Sequence, residues 1–161
     1  MRRFFVLVAA LVTSASVLSL VGHRQQSRAA SLSSGRDAKT IEAVRAVLDA
    51  QVAAWNRGDL DGFMNGYWRS PRTVFISGDN IRRGWQTVLD HYRQAYASRE
   101  KMGTLSFLEI EIKPLSPDSA VAFGRWQLVR ASDKPHGRFT LLFRRTREGW
   151  RIIHDHTSSA D

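Results

Sequence analysis

The closing stretch Gly149-Trp150-Arg151-Ile152-Ile153-His154-Asp155-His156-Thr157-Ser158 places two histidines either side of an aspartate in a strand-like pattern. On a regular extended backbone His154 and His156 share a face at roughly 7 Å, while Asp155 points the other way. Two imidazoles so placed suit metal ligation, proton transfer near neutral pH, or the polar finish of a sheet. Arg125 is the other chemistry-bearing group. A guanidinium inside a fold needs a carboxylate or an anionic ligand beside it, and its planar fork matches a carboxylate.

Four segments with period-two alternation must position these groups: 104–112, 119–131, 137–146 and 150–158. A hairpin about Arg147-Glu148 pairs Arg145 with Trp150, Phe143 with Ile152, Leu141 with His154 and Phe139 with His156. Phe139, Leu141, Phe143, Ile152, His154 and His156 then share one face, and Asp155 goes to the other. On the segment before, one face carries Phe123, Arg125, Gln127 and Val129 and the other Ala122, Gly124, Trp126 and Leu128. Both are apolar enough to be covered. A slip of one residue exchanges the sets.

Upstream the period is helical. Ile41, Val44, Leu48, Val52 and Trp55 form a stripe starting after Asp37 or Thr40, and Gly58 ends it. Asp59 caps a short second helix, Thr73–Ser77 reads as a strand, and a third helix begins near Gly84 with Trp85, Val88, Leu89, Tyr92 and Tyr96 on one side. Helices followed by a run of strands give an α+β order.

The chain has 161 residues and a net charge of +9. Five of its 24 basic residues precede the first acidic one, Asp37, which leaves 19 basic against 15 acidic residues and +4 for the folded part. With the arginines scattered over separate elements, no nucleic-acid partner is expected. Met1-Arg2-Arg3 and the apolar residues 4–22 read as an export signal over 1–29, to periplasm or medium, with an uncleaved anchor at 4–22 as the alternative. Residues 30–37 read as a flexible linker and 38–159 as one domain. There is no cysteine and no glycine-rich phosphate loop, so no organic cofactor is implied.

Trp55-Asn56-Arg57-Gly58-Asp59, Tyr67-Trp68, the Gly84-led helix and the closing Gly149–Ser158 stretch together resemble the nuclear transport factor 2-like superfamily. Within it they look most like the SnoaL-like and ketosteroid-isomerase-like branch, and they also resemble the association domain of calcium/calmodulin-dependent protein kinase II. The resemblance implies a cone-shaped fold, with N-terminal helices packed on a strongly curved antiparallel sheet around a pocket. It also implies an inward Arg125, with His154 and His156 beside it. The outward face then holds Trp126, Leu128, Leu142 and Ile153 as a homodimer patch.

On that facing no acidic residue joins the histidines, so zinc lacks a third protein ligand and no metal site is expected. An isomerase-type carboxylate base is missing too, because Asp59, Asp61 and Asp79 sit at caps and turns. The expected site is Arg125 and Gln127 for a small, partly apolar, anionic ligand, with Trp55, Tyr67, Tyr92, Phe139 and Leu141 as walls and His154 and His156 as acid-base groups. Two classes stay open: a binding protein, and a cofactor-free isomerase, cyclase or hydrolase.

Overall fold

The computed structural model describes residues 13–160. Residues 1–12 lie outside these, so the export signal expected at 1–29 and the anchor at 4–22 fall in part outside the described residues. No helix among the described residues is long and apolar enough to cross a membrane. The chain divides into two compact units, Met1–Ala38 and Lys39–Asp161. The first is helical from Thr13 onward.

Helix α1 spans Thr13–Asn56 and includes residues 30–37, expected as a linker; with no proline there, the chain has no obligatory stop. In the second unit its buried stripe is Thr40, Val44, Leu48, Gln51 and Trp55, at steps of three and four. Ile41 and Val52, expected on that stripe, are half-buried at its edges. Gly58 follows with φ +86°, the left-handed conformation that ends helices. Asp59 caps α2 (Leu60–Met64) by accepting from the Gly62 N–H at 2.6 Å.

Strands β1 (Val74–Ser77) and β2 (Asn80–Arg83) make a small hairpin. It leads through Gly84, φ +94°, into α3 (Trp85–Ala95) and a short α4 (Arg99–Met102). Four longer strands follow: β3 (Thr104–Ser116), β4 (Ser119–Val129), β5 (His136–Thr146) and β6 (Gly149–Thr157). The sheet order is β2-β1-β6-β5-β4-β3, with β1 parallel to β6 and the other neighbours antiparallel. This corrects the expected cone of antiparallel strands: the sheet is mixed and open, with β2 and β3 as separate edges, and it is neither closed nor strongly curled.

One face of the sheet packs on the helices. Phe139, Leu141 and Phe143 of β5 enter this core as the alternation predicts, joined by Val44 and Leu48 of α1 and by Phe63 and Met64 of α2. The Asn56 side chain ties α1 to β3, donating to Leu105 O at 3.0 Å and accepting from Leu105 N at 2.7 Å. From β4 the inward row is Ala120, Ala122, Gly124, Trp126 and Leu128, the opposite of the expected facing. The reason is space. A Cβ on Gly124 would lie 2.9 Å from both Leu108 O and the Phe139 ring, so where β4 passes beneath Phe139 the inward position has room only for glycine.

The other inversion comes from a bulge in β6. Phe143 pairs with Ile152, but Leu142 pairs with His154, so Ile153 is an extra residue in the ladder. Leu141 then faces Asp155 and Phe139 faces Thr157, where strict alternation expected His154 and His156. The bulge lies where the chain after α2 joins the strand: Ile152 N donates to Gly66 O and Trp68 N donates to Ile152 O, both at 2.9 Å.

Candidate functional site

The inward faces of α1, α3 and the sheet enclose a cavity of about 140 Å³, walled by Trp55, Phe63, Tyr67, Tyr92, Phe107, Trp126, Phe139 and Leu141. Several wall residues have a local anchor. Trp55 Nε1 donates to Met102 O at 3.2 Å, and Trp126 Nε1 donates to Ser158 O at 2.9 Å. Phe107 meets Phe139 edge-on at 5.1 Å between ring centroids.

Among the polar side chains of the lining other than the phenols, which include Ser77, His91, Thr157 and Ser159, Gln51 and Asp155 are the most deeply buried. Gln51, 2% exposed on α1, donates from Nε2 to Phe63 O at 3.1 Å. That carbonyl settles the amide orientation, because the reverse one would set two acceptors against each other. Its Oε1 has no donor from the protein. Asp155, 4% exposed on β6, accepts at Oδ2 from the Tyr67 hydroxyl at 2.6 Å, and its Oδ1 likewise has no donor.

Burial pushes the Asp155 carboxyl up to about 7, against the opposing pull of the Tyr67 hydrogen bond. Burial and the nearby Asp155 charge push the phenols of Tyr67 and Tyr92 well above their ordinary value. On the α3 side of the cavity, His91 is lowered by burial and then by Arg82. A carboxyl balanced between its two forms, held by a phenol among aromatic walls, can accept a proton or a hydrogen bond and give either back.

Trp55, Tyr67, Tyr92, Phe139 and Leu141 thus line the cavity, as expected of them. Arg125, Gln127, His154 and His156 do not. Arg125 and Gln127 lie on the opposite face of β4, because Gly124 is the residue that passes beneath Phe139. His154 pairs with Leu142 and Val74, and His156 with Thr140 and Ile76, on the opposite face of the sheet because of the extra residue Ile153. Trp126 and Leu128, expected in a dimer patch, are a cavity wall and a core residue 2% exposed.

Sequence reasoning missed Asp155 and Gln51. Gln51 left a signal, a polar residue on the buried stripe between Leu48 and Trp55; Asp155 left none, because a bulge has no signature in β6. Asp59 serves as the expected cap, while Asp61, expected at a cap or turn, lies in the first turn of α2 and pairs with Arg93 at 2.9 Å. Among the described residues no three His, Asp or Glu side chains come together.

An α+β layer with a buried carboxyl in an aromatic cavity defines a class of small pocket-bearing domains. The chain belongs to the SnoaL-like domain family, whose model matches residues 44–161, within the nuclear transport factor 2-like superfamily. An NTF-2-like protein of unknown function from Shewanella oneidensis MR-1 is similar to it at 42% identity and a TM-score of 0.71, over 74% of this chain and 98% of that one. An uncharacterised cystatin-like-fold protein from Caulobacter vibrioides has 22% identity and a TM-score of 0.62, over 75% and 89%. A Xanthomonas campestris protein assigned as a calcium/calmodulin-dependent protein kinase II association domain has 18% identity and a TM-score of 0.59, over 73% and 85%. The last two show the fold alone. Among curated proteins none matches.

Proposed function

We propose that this protein binds a small, largely apolar, non-anionic molecule in the aromatic cavity, with the Asp155 carboxyl as its polar anchor. The observation that carries this reading is Asp155 Oδ1, buried in the lining with no protein donor, while Oδ2 is held by Tyr67. A cavity of about 140 Å³ suits a single ring; dry engineered cavities of roughly 150 Å³ take benzene. The anionic ligand expected from the sequence is replaced, because among the described residues no lysine or arginine lines the cavity. Nuclear magnetic resonance with neutral one-ring compounds tests the reading. The Trp55 and Trp126 indole signals should shift together at millimolar ligand, and indoles indifferent to every such compound would sink it.

A second reading, cofactor-free acid-base catalysis on the bound molecule, is favoured by the Asp155 carboxyl at about 7. Ionised Asp155 would take a proton from the ligand, Tyr67 would steady the carboxylate, and the acid formed would return the proton. A rate that rises through pH 7 and disappears in Asp155→Asn supports it; turnover unaffected by that substitution excludes it.

Two expectations stand as proposals beside this one. Export rests on Arg2-Arg3 and the apolar residues behind them, and N-terminal sequencing of the protein from periplasm and medium tests it. A homodimer through the outer sheet face rests on half-buried Val121, Phe123 and Leu142 there. A monomer by sedimentation at micromolar concentration would remove it.

A further inference from the structure

Gln51 and Asp155 reach the same cavity from opposite layers, helix α1 and strand β6, and each brings an oxygen acceptor with no donor from the protein. Buried acceptors are normally paired, and each one left unpaired costs about 1–3 kcal/mol. Two in one small cavity form a pattern. Neither results from loose packing. Gln51 is fixed by Phe63 O and packs so closely on Gly66 that a Cβ there would fall 2.6 Å from its amide carbon. Asp155 is fixed by Tyr67.

The lining also carries Ser77, His91, Thr157, Ser159 and the phenols of Tyr92 and Tyr96, and Gln51 Oε1 and Asp155 Oδ1 differ from these in being deeply buried acceptors that lack a donor. The Trp55 and Trp126 indole N–H groups are both spent on backbone carbonyls. A molecule that fills the cavity without bringing donors of its own leaves both acceptors unpaired. A site whose fixed polar groups accept also rejects analogues that lack the matching donors far more strongly than an apolar pocket rejects a change of size.

Building on the cavity as the ligand site, we propose that its occupant is a one-ring, neutral or singly cationic molecule with two O–H or N–H donors, one for Gln51 Oε1 and one for Asp155 Oδ1. Carboxylates and phosphates are disfavoured, because among the described residues no lysine or arginine lines the cavity and the ionised Asp155 carboxylate would repel them. An aromatic diol, an aminophenol or a protonated ring amine has the required chemistry.

The test uses the full chain and simple probes. The three dihydroxybenzenes set two O–H donors at three spacings, the xylenes copy their shapes without donors, and benzoate carries the disfavoured charge. At least one dihydroxybenzene should bind tenfold or more tighter than its xylene counterpart, about 1.4 kcal/mol. Benzoate should bind weakest, and the Gln51 side-chain carbonyl and Asp155 carboxyl carbon signals should move with the diol and not with the xylene. In Asp155→Asn, the amide oxygen can still accept from Tyr67, which turns N–H toward the cavity. Diol affinity should then fall about tenfold, and that of cyclohexanone, which only accepts, should rise. Diol and xylene binding equally would overturn the donor requirement while leaving the cavity reading intact. If no probe bound at all, the cavity reading would fall and this inference with it.

Discussion

The Tyr67 hydroxyl donates to Asp155 Oδ2 at 2.6 Å across 88 positions of sequence, joining the loop after α2 to the far end of β6. The bond occupies one oxygen of a buried carboxyl and leaves the other in the cavity. Tyr67 lies between Gly66 and Trp68, whose backbones bond to Ile152, so the loop that orients the phenol also anchors the bulge that presents the carboxyl.

Protonation of Asp155 should be visible in stability. Its carboxyl lies at about 7 when folded, against 3.8 for an ordinary aspartate, so the folded state holds a proton that the unfolded state releases between those limits. Stability from this group is full below about pH 4 and is lost as pH rises toward 7, by about 4 kcal/mol for a shift of roughly three units. Asp155→Asn should flatten this fall, matching the wild type near pH 4 and exceeding it at pH 8. Denaturation curves at both pH values decide it; a wild type that strengthens from pH 5 to 8 relative to the variant would contradict the assignment.

Tyr67→Phe keeps the ring and removes the donor. Because the Tyr67 bond holds the Asp155 carboxyl down, its loss should raise that group further above 7. The variant should also lose about 1.5–3 kcal/mol where Asp155 is charged, and less where it is protonated. A carbon-detected titration of the Asp155 carboxyl measures the first effect, and an unmoved midpoint would argue against the bond in solution.

Gly124 is the residue on which the facing of β4 turns. Gly124→Ala should cost about 1–3 kcal/mol, since the new methyl meets a backbone carbonyl and the Phe139 ring. Urea denaturation measures it, and a neutral result would mean that Phe139 has room to move.

Arg125→Ala and the double variant His154→Ala, His156→Ala should leave ligand binding within twofold of the wild type, because these side chains lie on the far face of the sheet. Titration of the tightest one-ring probe measures this. A tenfold loss in either would return the site to the facing that regular alternation suggests.

Much of the architecture is legible in local chemistry. The helical stripe through Val44, Leu48 and Trp55, the Gly58 stop, the Asp59 cap, the Gly84-led helix and the alternation of β5 all follow from side-chain period and backbone preference. Cavity walls could be named for the same reason: Trp55, Tyr92, Phe139 and Leu141 each lie on the apolar side of a regular element, and Tyr67 follows α2.

The identity of the polar groups inside was not local. Alternation along Ile152–His156 is interrupted by one extra residue at Ile153, and that interruption arises where another part of the chain bonds to the strand. The facing of β4 likewise depends on the volume of Phe139 across the sheet. The amino-acid order determined most of the segments that form helices and strands and, on α1, α3 and β5, the aromatics they bury. Only tertiary packing decided that Asp155 and not His154 enters the cavity, because a bulge reverses every later side chain of its strand and is set by contacts made far away in sequence.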